Sequence, residues 1–296
     1  MILPTLAYAL SVIQPMQMPC EPLPGWSAAV EAADGGALIF GEGHGTQESP
    51  AVFAEVVCAA AASGGSVLVA LELANSQQAA LQDAWRASPE DFERELYQAL
   101  PIWRSSRDGR ASVAMLAMLT RLHALKSQGM QIDISAFNAS PAQATAFNDL
   151  PGQEPHEAAQ ALNIATARNR GDYSLTLVLV GNLHARKTPV SSRGGVWKPM
   201  GVKLEERGVS VVTLESDGPA GASWNCRLRP DFDISSNAAI TEKDVVCGPS
   251  PEAAGKYQGD PRIELGGSEN YDGFFRTGST TASPPAFSDK KESVPQ

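Results

Sequence analysis

Ala37-Leu38-Ile39-Phe40-Gly41-Glu42-Gly43-His44-Gly45 passes from an apolar tetrapeptide into a glycine loop that carries a carboxylate and an imidazole. The tetrapeptide reads as a short buried strand. Glycines on both sides of His44 let the backbone turn sharply off that strand and approach a ligand closely, because a residue without Cβ tolerates positive φ. Two further apolar runs end in the same manner: Val67-Leu68-Val69-Ala70-Leu71 stops at Glu72, and Leu175-Thr176-Leu177-Val178-Leu179-Val180 stops at Gly181-Asn182-Leu183-His184. If the three runs are neighbouring parallel strands, two carboxylates and two imidazoles meet at the carboxyl edge, where open α/β sheets place ligands. Singly, each residue has an ordinary structural reading. Jointly they predict a site for acid/base or metal chemistry, because nothing structural requires such side chains at three strand ends.

The intervening spacing fills in the fold. Residues 50–62 predict a helix capped at Ser49 with proline in its first turn and stopped by Ser63-Gly64-Gly65. Residues 37–71 are then a strand-helix-strand unit whose crossover is right-handed by strong default. Further helices are expected over 74–86, 91–100, 112–127, 154–168 and 202–206, and further strands over 132–137 and 209–214. The alternation predicts an α/β fold, a three-layer sandwich with a mainly parallel central sheet, as the catalytic-type domain over residues 26–217. Beyond Asp217 the residues Gly, Pro, Ser and Asn dominate, which predicts a loop-rich C-terminal extension over 218–286 and a disordered tail over 287–296. The aromatic cluster Tyr271-Asp272-Gly273-Phe274-Phe275 is expected to dock that extension on the main body.

A chain of 296 residues, 43% hydrophobic, suits one large core with extensions. A formal net charge of -10 and the lack of any Lys/Arg cluster set nucleic acid aside as a partner, leaving a small-molecule or peptide substrate. Within residues 1–25, the apolar stretch 1–13 has the length of a signal-peptide core without its positive flank. A secretory signal missing its basic start and an ordinary hydrophobic strand both fit it. No later run reaches the length of about 18 apolar residues needed to span a bilayer.

The four cysteines show no metal-binding spacing. Cys226 and Cys247 lie in a stretch with little apolar periodicity and are expected to form a disulfide, which favours a periplasmic or secreted protein over a cytoplasmic one. Cys58, among Val56, Val57 and alanines, reads as a buried, inert thiol. His123 and His156 read as helix residues without a motif. No serine occupies a G-x-S-x-G elbow and no cysteine has a nucleophile's context, so water activated by a histidine or by a metal is the remaining route.

Gly41-Glu42-Gly43-His44-Gly45-Thr46 with Glu48, the strand-ending Glu72, and Gly181-Asn182-Leu183-His184-Ala185 together resemble the superfamily that joins erythromycin esterase-like proteins, Tiki/TraB-type metalloproteases and ChaN-like haem-binding lipoproteins. The resemblance spans residues 38–185 and implies an α/β sandwich with Glu42, His44, Glu72 and His184 as functional positions. Its esterase branch implies metal-free hydrolysis of an ester or lactone: His44 as base, Glu42 and Glu72 orienting it or the water, and His184 stabilising the developing charge. The chain departs from that branch at Gly181, where the branch has histidine, and at His156, where it has arginine. The Tiki branch implies that Glu42, His44, Glu72 and His184 bind Mn, Co or Zn and that an amide is cut. The ChaN-like branch implies haem binding without turnover, through a tyrosine that the first motif of this chain lacks.

Overall fold

The three apolar runs become adjacent strands in the middle of one sheet. The computed structural model describes residues 20–192, 195–218, 220–232, 241–252, 255, 257 and 259–287. Its strands are β1 (Ala37–Glu42), β2 (Val67–Ala74), β3 (Ile132–Asn138), β4 (Leu175–Gly181), β5 (Val190–Ser192), β6 (Gly195–Trp197), β7 (Val211–Asp217), β8 (Gly221–Leu228), β9 (Val245–Glu252), β10 (Arg262–Leu265) and β11 (Gly273–Arg276). Its α-helices are α1 (Trp26–Ala33), α2 (Glu48–Ala62), α3 (Gln78–Trp85), α4 (Phe92–Ala99), α5 (Ile102–Ser105), α6 (Val113–Ser127), α7 (Pro141–Ala144), α8 (Glu154–Arg168), α9 (Asn182–Ala185) and α10 (Met200–Glu205).

The central sheet runs β10-β11-β7-β1-β4-β2-β3, and every pairing in it is parallel except β10 with β11. Parallel strands must be covered on both faces, and this sheet separates two cores. On one face Leu38, Phe40, Val69 and Leu177 pack with α1, α2, α4 and α6. On the other, Ile39, Ala70, Val178 and Val180 pack with α8 and α10 through Ala161, Ile164, Met200 and Leu204. The alternation of neighbours such as Leu38 and Ile39 between the faces is the period of a strand, and it yields the expected three layers.

Helix α2 starts at Glu48 and contains Ser49 as a buried second residue, so Ser49 is not its cap. The turn begins earlier because the Ser49 amide donates to Thr46 Oγ1 at 3.4 Å and Glu48 places a carboxylate in the first turn, where the helix dipole favours it. Between its loops the C-terminal region forms the β8–β9 hairpin and adds β10 and β11 to the central sheet. The aromatic cluster docks as expected: β11 pairs with β7, and Phe275, fully buried, meets Phe40 edge-on at 5.4 Å between ring centroids.

Cys226 pairs with Cys247 across the hairpin, as expected. Cys58 is not a free thiol. It is joined to Cys20, so the apolar surroundings that suggested an inert thiol instead enclose a disulfide that ties the chain before α1 to α2. Two disulfides favour an oxidising compartment. Among the described residues no helix is long and apolar enough to cross a membrane. The expectations for residues 1–19 and 288–296 lie outside the described residues.

Candidate active site

Registers of the three middle strands set the site. Glu42, the last residue of β1, lies opposite Gly181 of β4, and Leu71 of β2 lies opposite Leu179. Glu72 therefore reaches the same edge as the residues after β1 and β4. All four residues singled out by sequence, Glu42, His44, Glu72 and His184, meet there.

His44 is held between two carboxylates. Its Nδ1 is 3.0 Å from Glu42 Oε1, and its Nε2 is 3.5 Å from Glu72 Oε2. The loop that presents it is pinned at Gly45, whose carbonyl accepts from the amides of Trp224 and Ser283, each at 2.8 Å. Gly45 has φ of 87°, and a Cβ there would stand 2.2 Å from the Trp224 carbonyl oxygen, so only glycine lets strand β8 cross this closely. Glu72 Oε2 also accepts from the Gly181 amide at 3.0 Å, while its Oε1 is 3.8 Å from Nη1 of Arg110.

Helix α9 begins directly after β4 and carries His184, whose Nδ1 lies 2.9 and 2.8 Å from the two carboxylate oxygens of Glu157. Glu157 is fully buried in the first turn of α8 and also accepts from the Met200 amide at 2.9 Å and Gln153 Nε2 at 3.1 Å. Such a surround satisfies a carboxylate that has lost its water and fixes which nitrogen of His184 faces it. The ring of His156, beside Glu157 in sequence, lies 6.1 Å from that of His184.

These contacts divide the protons unevenly. Burial opposes charge on His44, but hydrogen bonds and attraction from Glu42 and Glu72 outweigh it and hold the pKa up at about 10. Burial likewise opposes ionisation of Glu72, and the hydrogen bond and charge of His44 overcome it, pulling that pKa down to about 2. For His184, burial works against the proton and Glu157 works for it; the net shift is upward. His156, by contrast, is pushed down by burial. These shifts favour the charged forms of both His44 and Glu72 and the neutral form of His156.

Gly181 leaves the middle of this cluster open. A Cβ there would stand 3.1 Å from His44 Nε2, 3.6 Å from Glu72 Oε2 and 3.7 Å from His184 Cδ2. Any side chain at this position, such as the histidine of the resembling esterase branch, would fill the space between the acid/base groups. A cavity of about 610 Å³ opens on Glu72 from between residues 101–110 and the β8–β9 hairpin.

Sequence reasoning missed Glu157 and Arg110. Glu157, Ala161 and Ile164 are spaced i, i+4, i+7 along one stripe of α8, and all three are fully buried. A charged residue on an otherwise apolar stripe was the available signal. Arg110 carried none, since it lies in a short turn between helices.

The carboxylates at Nδ1 of His44 and Nδ1 of His184 leave Nε2 of each ring as the nitrogen a metal could take, and Nε2 of His44 is 3.5 Å from Glu72 Oε2. Among the described residues no group of three or more His, Cys, Asp or Glu side chains is arranged to hold one. A thiol nucleophile is excluded, because all four cysteines are in disulfides.

No protein-family model matches the chain, and no curated protein matches it by sequence. Solved structures share its fold. An erythromycin esterase variant in its open conformation is 12% identical, with 86% of this chain and 92% of that one covered at a TM-score of 0.59. A protein of Bacillus cereus is 10% identical, with 88% and 92% covered at 0.56. A succinoglycan biosynthesis protein is 13% identical, with 90% and 93% covered at 0.55. At these identities the likeness is one of fold, and it is the fold that the motif resemblance implied.

Proposed function

We propose that this chain hydrolyses an ester, lactone or amide bond by direct attack of water at the Glu72–His44 pair. The observation that carries the reading is His44 clamped between Glu42 and Glu72 at the ends of three adjacent strands. Two titratable groups in contact at the edge of a cavity can pass a proton between them and so act as an acid/base pair. His44, protonated in the resting site, is the acid, and Glu72, ionised and lining the cavity, is the base. This reverses the roles that the esterase resemblance implies.

The step balances. Glu72 takes a proton from water as the oxygen of that water bonds to the carbonyl carbon, and His44 gives its proton to the leaving oxygen or nitrogen as the old bond breaks. Once His44 has lost its charge, the influence that depressed Glu72 is gone. The proton then passes back from Glu72 to His44 across their contact and restores the resting site. His184, whose proton affinity Glu157 raises, faces the same centre and would stabilise the oxyanion. The activity named for one fold neighbour, erythromycin esterase, belongs to the same reaction class. The two disulfides support a periplasmic or secreted location for the enzyme.

The test is a panel of 4-nitrophenyl esters, lactones and 4-nitroanilides, assayed with the wild-type protein and Glu72→Gln. Hydrolysis of at least one class, reduced about a hundredfold to ten-thousandfold in the variant, is expected, the usual worth of a positioned acid or base. An inert wild-type protein, or a fully active variant, contradicts the reading.

A further inference from the structure

At the cavity beside Glu72, the described residues leave one basic side chain, the exposed Arg107, without an acidic partner. Among the lining residues, Asp108 is paired with Arg110, whose Nε and Nη2 donate to Asp108 Oδ2 at 3.2 and 2.8 Å. Glu72 is paired with His44. Arg107 is left over: among the described residues its guanidinium has no hydrogen bond and no ion pair, in a chain with 23 basic and 33 acidic residues. Its backbone is nevertheless fixed. The Arg107 carbonyl accepts from Trp224 Nε1 at 2.9 Å, which ties it to the hairpin stapled by Cys226 and Cys247. Arg110 adds a second donor, because Nη1 is not used by Asp108 and is 3.8 Å from Glu72 Oε1.

We propose that the substrate carries an oxyanion close to the bond that is cut, and that Arg107, with Nη1 of Arg110, binds that oxyanion in this cavity. The inference rests on the hydrolase reading above and narrows its substrate class. A planar guanidinium fork matches an oxyanion in two hydrogen bonds, and a volume of about 610 Å³ is within the range of small-molecule sites. Ile102 and the disulfide line the same cavity and would cover an apolar remainder. Because Arg110 reaches towards both the anion and Glu72, binding there would set the scissile carbonyl beside the base.

Two readouts separate this inference from the reading beneath it. Calorimetric titration with glutarate, inorganic phosphate and neutral glutaramide, on wild-type protein and on Arg107→Gln and Arg107→Lys, tests the binding site without turnover. Binding of an oxyanion but not of the amide, weakened about tenfold or more in Arg107→Gln and less in Arg107→Lys, is expected; which oxyanion binds distinguishes carboxylate from phosphate chemistry. Hydrolysis of 4-nitrophenyl hydrogen glutarate against 4-nitrophenyl valerate tests its use. The charged ester should have the larger kcat/KM by about tenfold, through KM, and Arg107→Gln should bring the ratio of the two esters to about one. Oxyanion binding that is absent, or equal in all three proteins, overturns the inference, as does hydrolysis of both esters without charge preference. Arg107-dependent oxyanion binding with no hydrolysis of either ester retains the anion site and removes the hydrolase reading instead.

Discussion

Glu157 faces His184 Nδ1 with both carboxylate oxygens, at 2.9 and 2.8 Å, from a fully buried position in the first turn of α8. The pair fixes the ring so that Nε2 is the nitrogen left to face the reaction centre. Replacing Glu157 by Gln keeps an acceptor for the Met200 amide but removes the charge. His184 is then expected to lose its raised proton affinity, and turnover to fall about tenfold or more, with a stability loss of about 1–3 kcal/mol for the weakened buried hydrogen bonds. Histidine NMR titration of the variant beside its kcat checks this; an unchanged His184 midpoint counts against the pairing.

His44→Ala removes the proposed acid and leaves Glu42 and Glu72 facing each other. We expect turnover to drop about a hundredfold to ten-thousandfold on any hydrolysed substrate. Circular dichroism should be unaltered, since the glycine loop is held by its backbone contacts at Gly45. A folded variant with the wild-type rate would remove His44 from the mechanism.

The sign of the pH dependence follows from the same clamp. A group whose folded pKa is raised stabilises the fold fully below its unfolded value, near 6.5 for His44, and that contribution is lost as pH rises through about 10. Glu72 mirrors it at the acid end, contributing above its ordinary 4.5 and losing that contribution as pH falls through about 2. Between pH 6.5 and 10 the Tm of the wild-type protein should therefore decline more steeply than that of His44→Gln. Parallel curves would show that the clamp adds no stability.

The disulfides close segments of 38 residues, Cys20 to Cys58, and 21 residues, Cys226 to Cys247. In the chain-entropy model each contributes roughly 3–4 kcal/mol. Peptide mapping without reductant should recover both pairs, and Cys226→Ser with Cys247→Ser should lower Tm while also weakening oxyanion binding, because the hairpin holds Arg107 in place. Two free thiols at 226 and 247 in protein from an oxidising compartment would contradict the pairing.

The central strands were legible because a parallel strand buried on both faces must be a continuous apolar run, as Leu175 to Val180 is, and because a polar residue ending such a run has few structural reasons to be there. The C-terminal strands were not legible. Gly273–Arg276 and Arg262–Leu265 are short pieces at the sheet margin, the first paired with β7 and the second only with the first, so tertiary contact rather than their own pattern sets them. Glu157 was harder to read: an acid in the first turn of a helix is favoured by the helix dipole wherever it points, so only its place on the stripe with Ala161 and Ile164, and not its type, signalled burial. Cys58 misled because an apolar neighbourhood suits a thiol and a disulfide equally well.

The central claim is that His44 stands as a cation between Glu42 and Glu72, and long-range proton–nitrogen NMR of the four histidine rings tests it most directly. In the wild-type protein one ring, assigned by His44→Gln, should remain an imidazolium through neutral pH and lose its proton only near 10, while His156 is neutral at pH 7. Glu72→Gln should bring the His44 midpoint down. A His44 ring that titrates near 6.5 in the wild-type protein, indifferent to Glu72, would contradict the account.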